Sequence, residues 1–461
     1  MKDLLLTNQT GARLYHDCAA HLPIIDFHCH LQPQEILEDK PFEDLGEIWL
    51  AYDHYKWRCM RTFGIDERLI TGDAPYREKF MAFAKIMPML AGNPVHIWCQ
   101  LELARYFGIT QPLGPDTAAE IYELTRAQIL EKRMSPHYFI NQSNVEYIAT
   151  TDDPIDDLRY HRAIAHSGAL KTKVAPALRP DLAMMPGAKG FPHYIAQLSA
   201  ASGMAISDFD GLMQAIDARL GFFVEHGARV TDHGMQAMRY AESTGSERDK
   251  ILTKALHGAA LTSHEIDQYQ TAFLLEMGGI CCKHGCTMQL HFGVYRDGNT
   301  EMFTKIGANT GFDMPDDLSP VHDMALLINA LNSRGALPRM ILYPINSAQF
   351  EPFAILASSF CGAGMVGKVS LGAPWWFSDQ PFGIKHQFEA VGQVYPLALG
   401  AGMVTDSRSF LSYPRHEIYR RALCQYLGEL IERGEYIASE ASVKALIEAV
   451  CYGNARDYFA L

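Results

Sequence analysis

Eight short apolar runs of strand length recur along the chain, most of them followed by a polar stretch and then by a helical period. They are Pro23–Phe27, Val145–Ala149, Lys173–Leu178, Ala228–Val230, Thr287–Leu290, Arg339–Tyr343, Lys368–Leu371 and Ala401–Val404. Intervening segments such as Asp208–His226 and Ser319–Arg334 carry apolar residues at helical spacing. Strands alternating with helices predict a parallel sheet, and eight such units predict closure into a (β/α)8 TIM-type barrel, α/β in class and somewhat distorted. Lys173–Leu178 is the poorest strand of the set, because Pro176 removes a ladder donor.

The first crossover is too long for one helix. More than a hundred residues separate Phe27 from Val145, and their pattern is helical, as in Thr117–Met134. Residues 31–144 are therefore expected to form a helical insertion beside the barrel mouth, within a single domain covering 1–461. A helical tail, Glu417–Leu461, is expected to close the chain.

Composition narrows the partners. A net charge of -13 argues against nucleic acid and anionic membranes. No run of eighteen apolar residues predicts a membrane span, and the leucines near the start, broken by Thr7, Asn8 and Gln9, are too few for a signal-peptide core. The ten cysteines are scattered and read as reduced thiols of a cytoplasmic protein. Cys281, Cys282 and Cys286 match no zinc-ribbon spacing and are read as structural thiols on a helix leading into a strand.

In barrels of this kind chemistry lies at the C-terminal ends of the strands. Those positions hold His28 and His30, Thr151 to Asp153, Arg179, Asp232 and His233, His291 with Arg296, Asn346, Trp375 and Trp376, and Asp406 with Arg408. Turn residues alone would favour Gly, Asn, Ser and Asp there. His28 and His30 are two apart on a strand, so both imidazoles face the mouth. Imidazole suits zinc, manganese or iron, and zinc is the expected ion. Closure brings the eighth strand beside the first, so Asp406 approaches as a third ligand in an open, catalytic set. No lysine stands at a strand end to form a bridging carbamate, which favours a mononuclear site. His233 and His291 are candidates for acid, base or orienting roles. Arg179, Arg296 and Arg408, following three different strands of an acidic protein, imply an anionic ligand held by guanidinium forks. In the insertion, His54-Tyr55-Lys56-Trp57-Arg58 would place a proton relay at Tyr55 and a hydroxyl ligand at His54.

Several stretches together resemble the uronate (glucuronate) isomerases of the amidohydrolase superfamily: Asp26-Phe-His-Cys-His30, Asp53-His-Tyr-Lys-Trp-Arg58, Thr150-Thr-Asp-Asp-Pro154, Arg179-Pro-Asp181, Trp375-Trp-Phe377 and Thr405-Asp-Ser-Arg-Ser-Phe410, continued by Ser412-Tyr-Pro-Arg-His-Glu417. The resemblance spans nearly the whole chain. It implies interconversion of D-glucuronate with D-fructuronate and of D-galacturonate with D-tagaturonate. It implies metal ligands at His28, His30 and Asp406. It also places His54, Tyr55, Arg179, His291, Arg296, Trp375 and Arg408 around the sugar acid, with Asp232 and His233 as further binding candidates. Pro374 and Pro344-Ile345 depart from the family pattern and bear on one pocket wall.

Such a reaction moves a proton from C2 to C1 through an enediol. It needs a base, for which Asp406 is the candidate, an electrophile at O1 and O2, and an anchor for the distant carboxylate. The expected partner is a small-molecule uronic acid, and a homo-oligomer is compatible with it. Two alternatives fit the same residues: a mononuclear metal-dependent hydrolase of this superfamily, and a non-catalytic sugar-acid binding protein. The joint presence of His28, His30 and Asp406 counts against the second.

Overall fold

The apolar runs pair in the order in which they occur. A computed structural model describes residues 1–318 and 320–461. Its strands are β1 (Ile24–Asp26), β2 (Val145–Ala149), β3 (Lys173–Ala175), β4 (Val230–Met235), β5 (Thr287–Phe292), β6 (Val294–Tyr295), β7 (Met314–Pro315), β8 (Met340–Pro344) and β9 (Val369–Leu371). One parallel sheet runs β1-β2-β3 and another β4-β5-β8-β9. Leu178, bridged to Asp152 on one side and Thr231 on the other, joins them into one arc. The break after Ala175 is the effect of Pro176: pairing resumes only where Ala177 donates to the Thr150 carbonyl at 3.1 Å.

The expected eighth strand, Ala401–Val404, is not a ladder strand. Gly402 adopts φ +79°, outside the range of extended backbone, and a side chain there would strike the Val450 carbonyl. The arc is instead closed by single bonds. Asp406 donates its N–H to the His28 carbonyl at 3.2 Å and His30 donates to the Ser407 carbonyl at 2.9 Å. Asp26 accepts from the Thr405 amide at 2.8 Å and from its hydroxyl at 2.6 Å.

Inside the arc, large and small side chains complement each other: Tyr147, Tyr343 and Trp375 pack with Ala149, Ala175 and Ala177. The helices Phe209–Glu225, Ser263–His284, Val321–Ser333 and Phe350–Ser359 form a second core against the outer face of the sheet. Ser319, the first residue of the helix expected over 319–334, lies outside the described residues. Cys281 and Cys286 are buried in that layer, with Cys281 against the Thr231 hydroxyl at 3.4 Å. No helix among the described residues is long and apolar enough to cross a membrane.

Between β1 and β2 every regular element is helical, from Pro33–Glu38 to Pro136–Gln142. Four of these helices have side-chain caps at their N-termini: Asp44, Asp53, Asn93 and Ser135 each accept a first-turn N–H. The insertion also buries charge. Asp53 pairs with Lys56 at 2.5 Å, and Glu102 accepts from the Trp49 indole at 2.5 Å. Burial pushes the Glu102 carboxyl up to about 7. The folded chain therefore holds a proton on Glu102 that the unfolded chain releases above about 4.5. That contribution to stability is complete below pH 4.5, is lost as pH rises towards 7, and is constant above. Glu102→Gln removes this slope. Urea unfolding at pH 5 and 7.5 is expected to show the variant gaining on the parent by roughly 1.4 kcal/mol per pH unit within that window. An unchanged difference would contradict the burial argument.

Candidate active site

The strand ends converge on a cavity of about 260 Å³ whose lining includes His28, His30, His54, Arg179, His291, Arg296, Trp375, Asp406 and Arg408. Asp406 is its hub. One carboxylate oxygen lies 3.1 Å from His28 Nε2 and 3.2 Å from His30 Nε2. The other accepts from the Trp376 indole N–H at 2.7 Å. Asp406 and Trp376 both hold left-handed backbone, at φ +46° and +47°, a conformation unusual for side chains of their size and typical of constrained functional positions. Burial opposes the Asp406 charge, but the bonds from His28 and His30 outweigh it and keep the carboxyl well below its usual range. Burial holds the His30 imidazole down at about 4.

Two imidazole nitrogens and a carboxylate oxygen of this trio lie within 4.8 Å of one another, a donor set suited to a divalent metal. A second observation fits the same reading. His28 Nδ1 and Asp232 Oδ2 are both buried without a hydrogen-bond partner and face each other at 3.8 Å. If Nε2 of His28 gave its lone pair to a metal, Nδ1 would carry the proton and point it at Asp232, the usual carboxylate support of a ligating histidine.

Asp232 also orders the floor. It accepts from His291 Nδ1 at 2.9 Å and faces Arg179 Nη1 at 3.3 Å. Asp181 takes Arg179 Nε at 2.7 Å, and Arg179 Nη2 sits 3.2 Å from His291 Nε2. This convergence requires Gly234, because a Cβ there would lie 2.5 Å from His291 Nε2 and 2.9 Å from Arg179 Nη2. Trp375 forms the wall, with its ring 4.4 Å from that of His28 and stacked on Tyr343 at 4.2 Å.

The roof comes from two segments without strand periodicity. Asp53 caps the helix His54–Thr62 by accepting from Tyr55 and Lys56, which sets His54 at the mouth. Burial lowers the His54 imidazole to about 4, so it is neutral at pH 7. From the loop between β6 and β7, Asp313 holds Arg296 at 2.9 Å, while the Arg296 guanidinium lies 4.7 Å over the Trp376 ring. Arg408, by contrast, has no carboxylate or carbonyl partner among the described residues, although its charge bears on both His30 and His54.

The comparisons with known proteins agree with one another. A family profile described as glucuronate isomerase matches residues 1–459. The chain is 42% identical to the uronate isomerase of Clostridium perfringens over 458 residues, covering 99% of this chain and 98% of the relative. It is 44% identical to that of Marinomonas sp. over 460 residues, with the same coverage. The solved uronate isomerase of Thermotoga maritima superposes with a TM-score of 0.93 at 32% identity, covering 100% of this chain and 99% of that one. The chain belongs to the glucuronate isomerase family.

In this glucuronate isomerase family member the residues singled out from sequence divide by position. His28, His30, His54, Arg179, His291, Arg296, Trp375, Asp406 and Arg408 share the cavity. Asp232 lies under its floor, fully buried, rather than on its surface. His233 is a correction: it points to the opposite face of β4, bonded to the Thr231 hydroxyl at 3.1 Å, as strand alternation from Asp232 demands. The Tyr55 hydroxyl is turned away from the main cavity and donates to Asp379 at 3.1 Å. Trp376, named from sequence at the strand ends, bonds Asp406, whereas Asp313 and Asp379 carry no sequence signal that singles them out. Asp313 sits in an irregular loop with no periodic signal, and Asp379 follows Trp376 in a dense aromatic-acidic run that could have been followed further.

Proposed function

We propose that the chain interconverts D-glucuronate with D-fructuronate, and D-galacturonate with D-tagaturonate, by proton transfer between C2 and C1 through an enediol. Isomerase activity follows from the family. The observation that supports the finer reading is the Arg408 guanidinium, two residues from Asp406 and without a carboxylate or carbonyl partner among the described residues, in a cavity whose other arginines are paired with carboxylates. A single divalent ion, zinc in our reading, would be held by His28, His30 and Asp406. When bound it would supply Lewis-acid stabilisation to substrate oxygens.

The chain's own residues account for the rest. Asp406 presents a carboxylate of low pKa whose second oxygen is fixed by Trp376, placing a base beside C2. Arg408 stands at the reacting end, where an uncompensated cation lowers the cost of negative charge developing on O1 and O2. Arg296, braced by Asp313 and Trp376 nearer the mouth, receives the distant carboxylate. Neutral His54 offers a hydrogen bond to a hydroxyl, and His291 lines the same cavity. Burial raises the Tyr55 phenol well above its usual value, so it stays protonated, and its hydroxyl is committed to Asp379 behind the cavity wall. Arg179 is saturated by Asp181, Asp232 and His291 and serves to orient them.

Ten unpaired cysteines support a cytoplasmic location. The assay that tests the proposal offers D-glucuronate and D-galacturonate in parallel with lactones and amides. Ketose formation from the uronates without hydrolysis of the others is expected. Hydrolysis without isomerisation would point to the hydrolase alternative.

A further inference from the structure

A larger cavity, of about 590 Å³, lies at the other end of the barrel. Ile24, the first residue of β1, lines it, whereas His28 and His30 follow the last residue of the same strand. Its lining carries four cations, Lys2, Arg105, Arg420 and Arg421, against a single carboxylate, Glu417. In a chain of net charge -13 this is a local reversal of sign.

The hydrogen bonds show that the reversal is not compensated. Glu417 is shared: it takes Arg105 through two bonds of 2.7 and 2.6 Å and Arg421 Nε at 2.8 Å. Arg421 otherwise donates to the carbonyls of Lys2 and Leu4 at 2.9 and 3.0 Å. Arg420 donates to the carbonyls of Leu22 and Pro23 at 2.7 and 2.6 Å and meets no carboxylate. Carbonyl oxygens satisfy donors but carry no net charge, so buried guanidiniums held by them keep an unmet demand for an anion. Arg420 and Arg421 are only 6% and 2% exposed. The helix Pro414–Glu432 begins at this cavity without a side-chain cap at Tyr413, adding the positive end of its dipole. Tyr15, Tyr106 and Leu22 supply an apolar wall beside the charge.

From this juxtaposition of a roomy cavity, four cations on one carboxylate and an apolar wall, we propose that the N-terminal end of the barrel binds a small organic oxyanion of two or more negative charges, a phosphate ester or a dicarboxylate. Guanidinium forks recognise both groups, and the wall takes the organic body. The inference does not rest on the catalytic reading above.

Calorimetric titration with glycerol phosphate and with succinate tests it on the full chain. Saturable binding of at least one probe is expected in the parent protein and, undiminished, in Arg408→Met, which strips the catalytic cavity of its free cation. Arg105 is part-exposed and lies outside the catalytic machinery, so Arg105→Gln is expected to keep normal uronate turnover while weakening the probe at least about tenfold through loss of charge-assisted bonds. Lys2→Gln/Arg105→Gln should weaken it further. Failure of both probes to bind the parent would overturn the proposal. So would binding unaffected by the Arg105 variants, or binding lost in Arg408→Met, which would place the probe in the catalytic cavity.

Discussion

Asp406→Asn is expected to lower kcat by about a thousandfold, the scale of a lost general base, while leaving the fold intact. Asparagine keeps the shape of the side chain and an acceptor for the Trp376 indole, which donates to Asp406 at 2.7 Å. It removes the negative charge on which His28 and His30 converge. If His28, His30 and Asp406 hold a divalent metal as proposed, the same substitution is expected to lower the metal content of the purified protein, because an amide oxygen is a far poorer ligand than a carboxylate. Turnover within tenfold of the parent would move the base elsewhere, with His291 the next group on the cavity wall. Full turnover in a protein carrying no stoichiometric metal would separate the chemistry from the metal.

The second large effect falls on Arg408. Removing a preorganised cation from developing negative charge costs about a hundredfold or more in rate. Arg408→Met is therefore expected to lower kcat by that factor with little change in KM, since the substrate carboxylate is assigned to Arg296. The split between the two constants decides the assignment. A rise in KM at unchanged kcat would make Arg408 the carboxylate anchor and would leave the reacting end without its protein cation. Arg179 offers no substitute, because Asp181 and Asp232 already neutralise it.

How far these residues can be read from sequence depends on how local their signal is. His28 and His30 follow from the two-residue period of a strand, and Asp406 from closure of eight strands on the first. β1 itself ends at Asp26, so the two histidines lie just beyond the strand rather than on it. Closure holds despite the irregular eighth segment, since the Asp406 N–H still meets the His28 carbonyl at 3.2 Å. What closure could not convey is that Gly402 breaks the extended backbone and that single bonds stand in for a ladder. His233 shows the complementary limit. Asp232 and His233 are adjacent in the middle of β4, and only the register of β4 against β5 fixes which of them faces the cavity. The charge state of the arginines is further from reach. Arg179, Arg296 and Arg408 look alike in sequence, and they differ because Asp232 and Asp313 come from segments whose approach is tertiary. The direction of the Tyr55 hydroxyl depends in the same way on Asp379, more than three hundred residues away along the chain.

The proposed chemistry moves a proton between C2 and C1 of a uronate through an enediol in this cavity. Proton NMR of D-glucuronate turnover in heavy water tests it most directly. Ketose is expected to form with solvent deuterium entering C1 of the product and C2 of recovered substrate, both slowed about a thousandfold in Asp406→Asn. Ketose formed with no deuterium at either carbon, even after prolonged incubation, would contradict it in favour of direct hydride transfer.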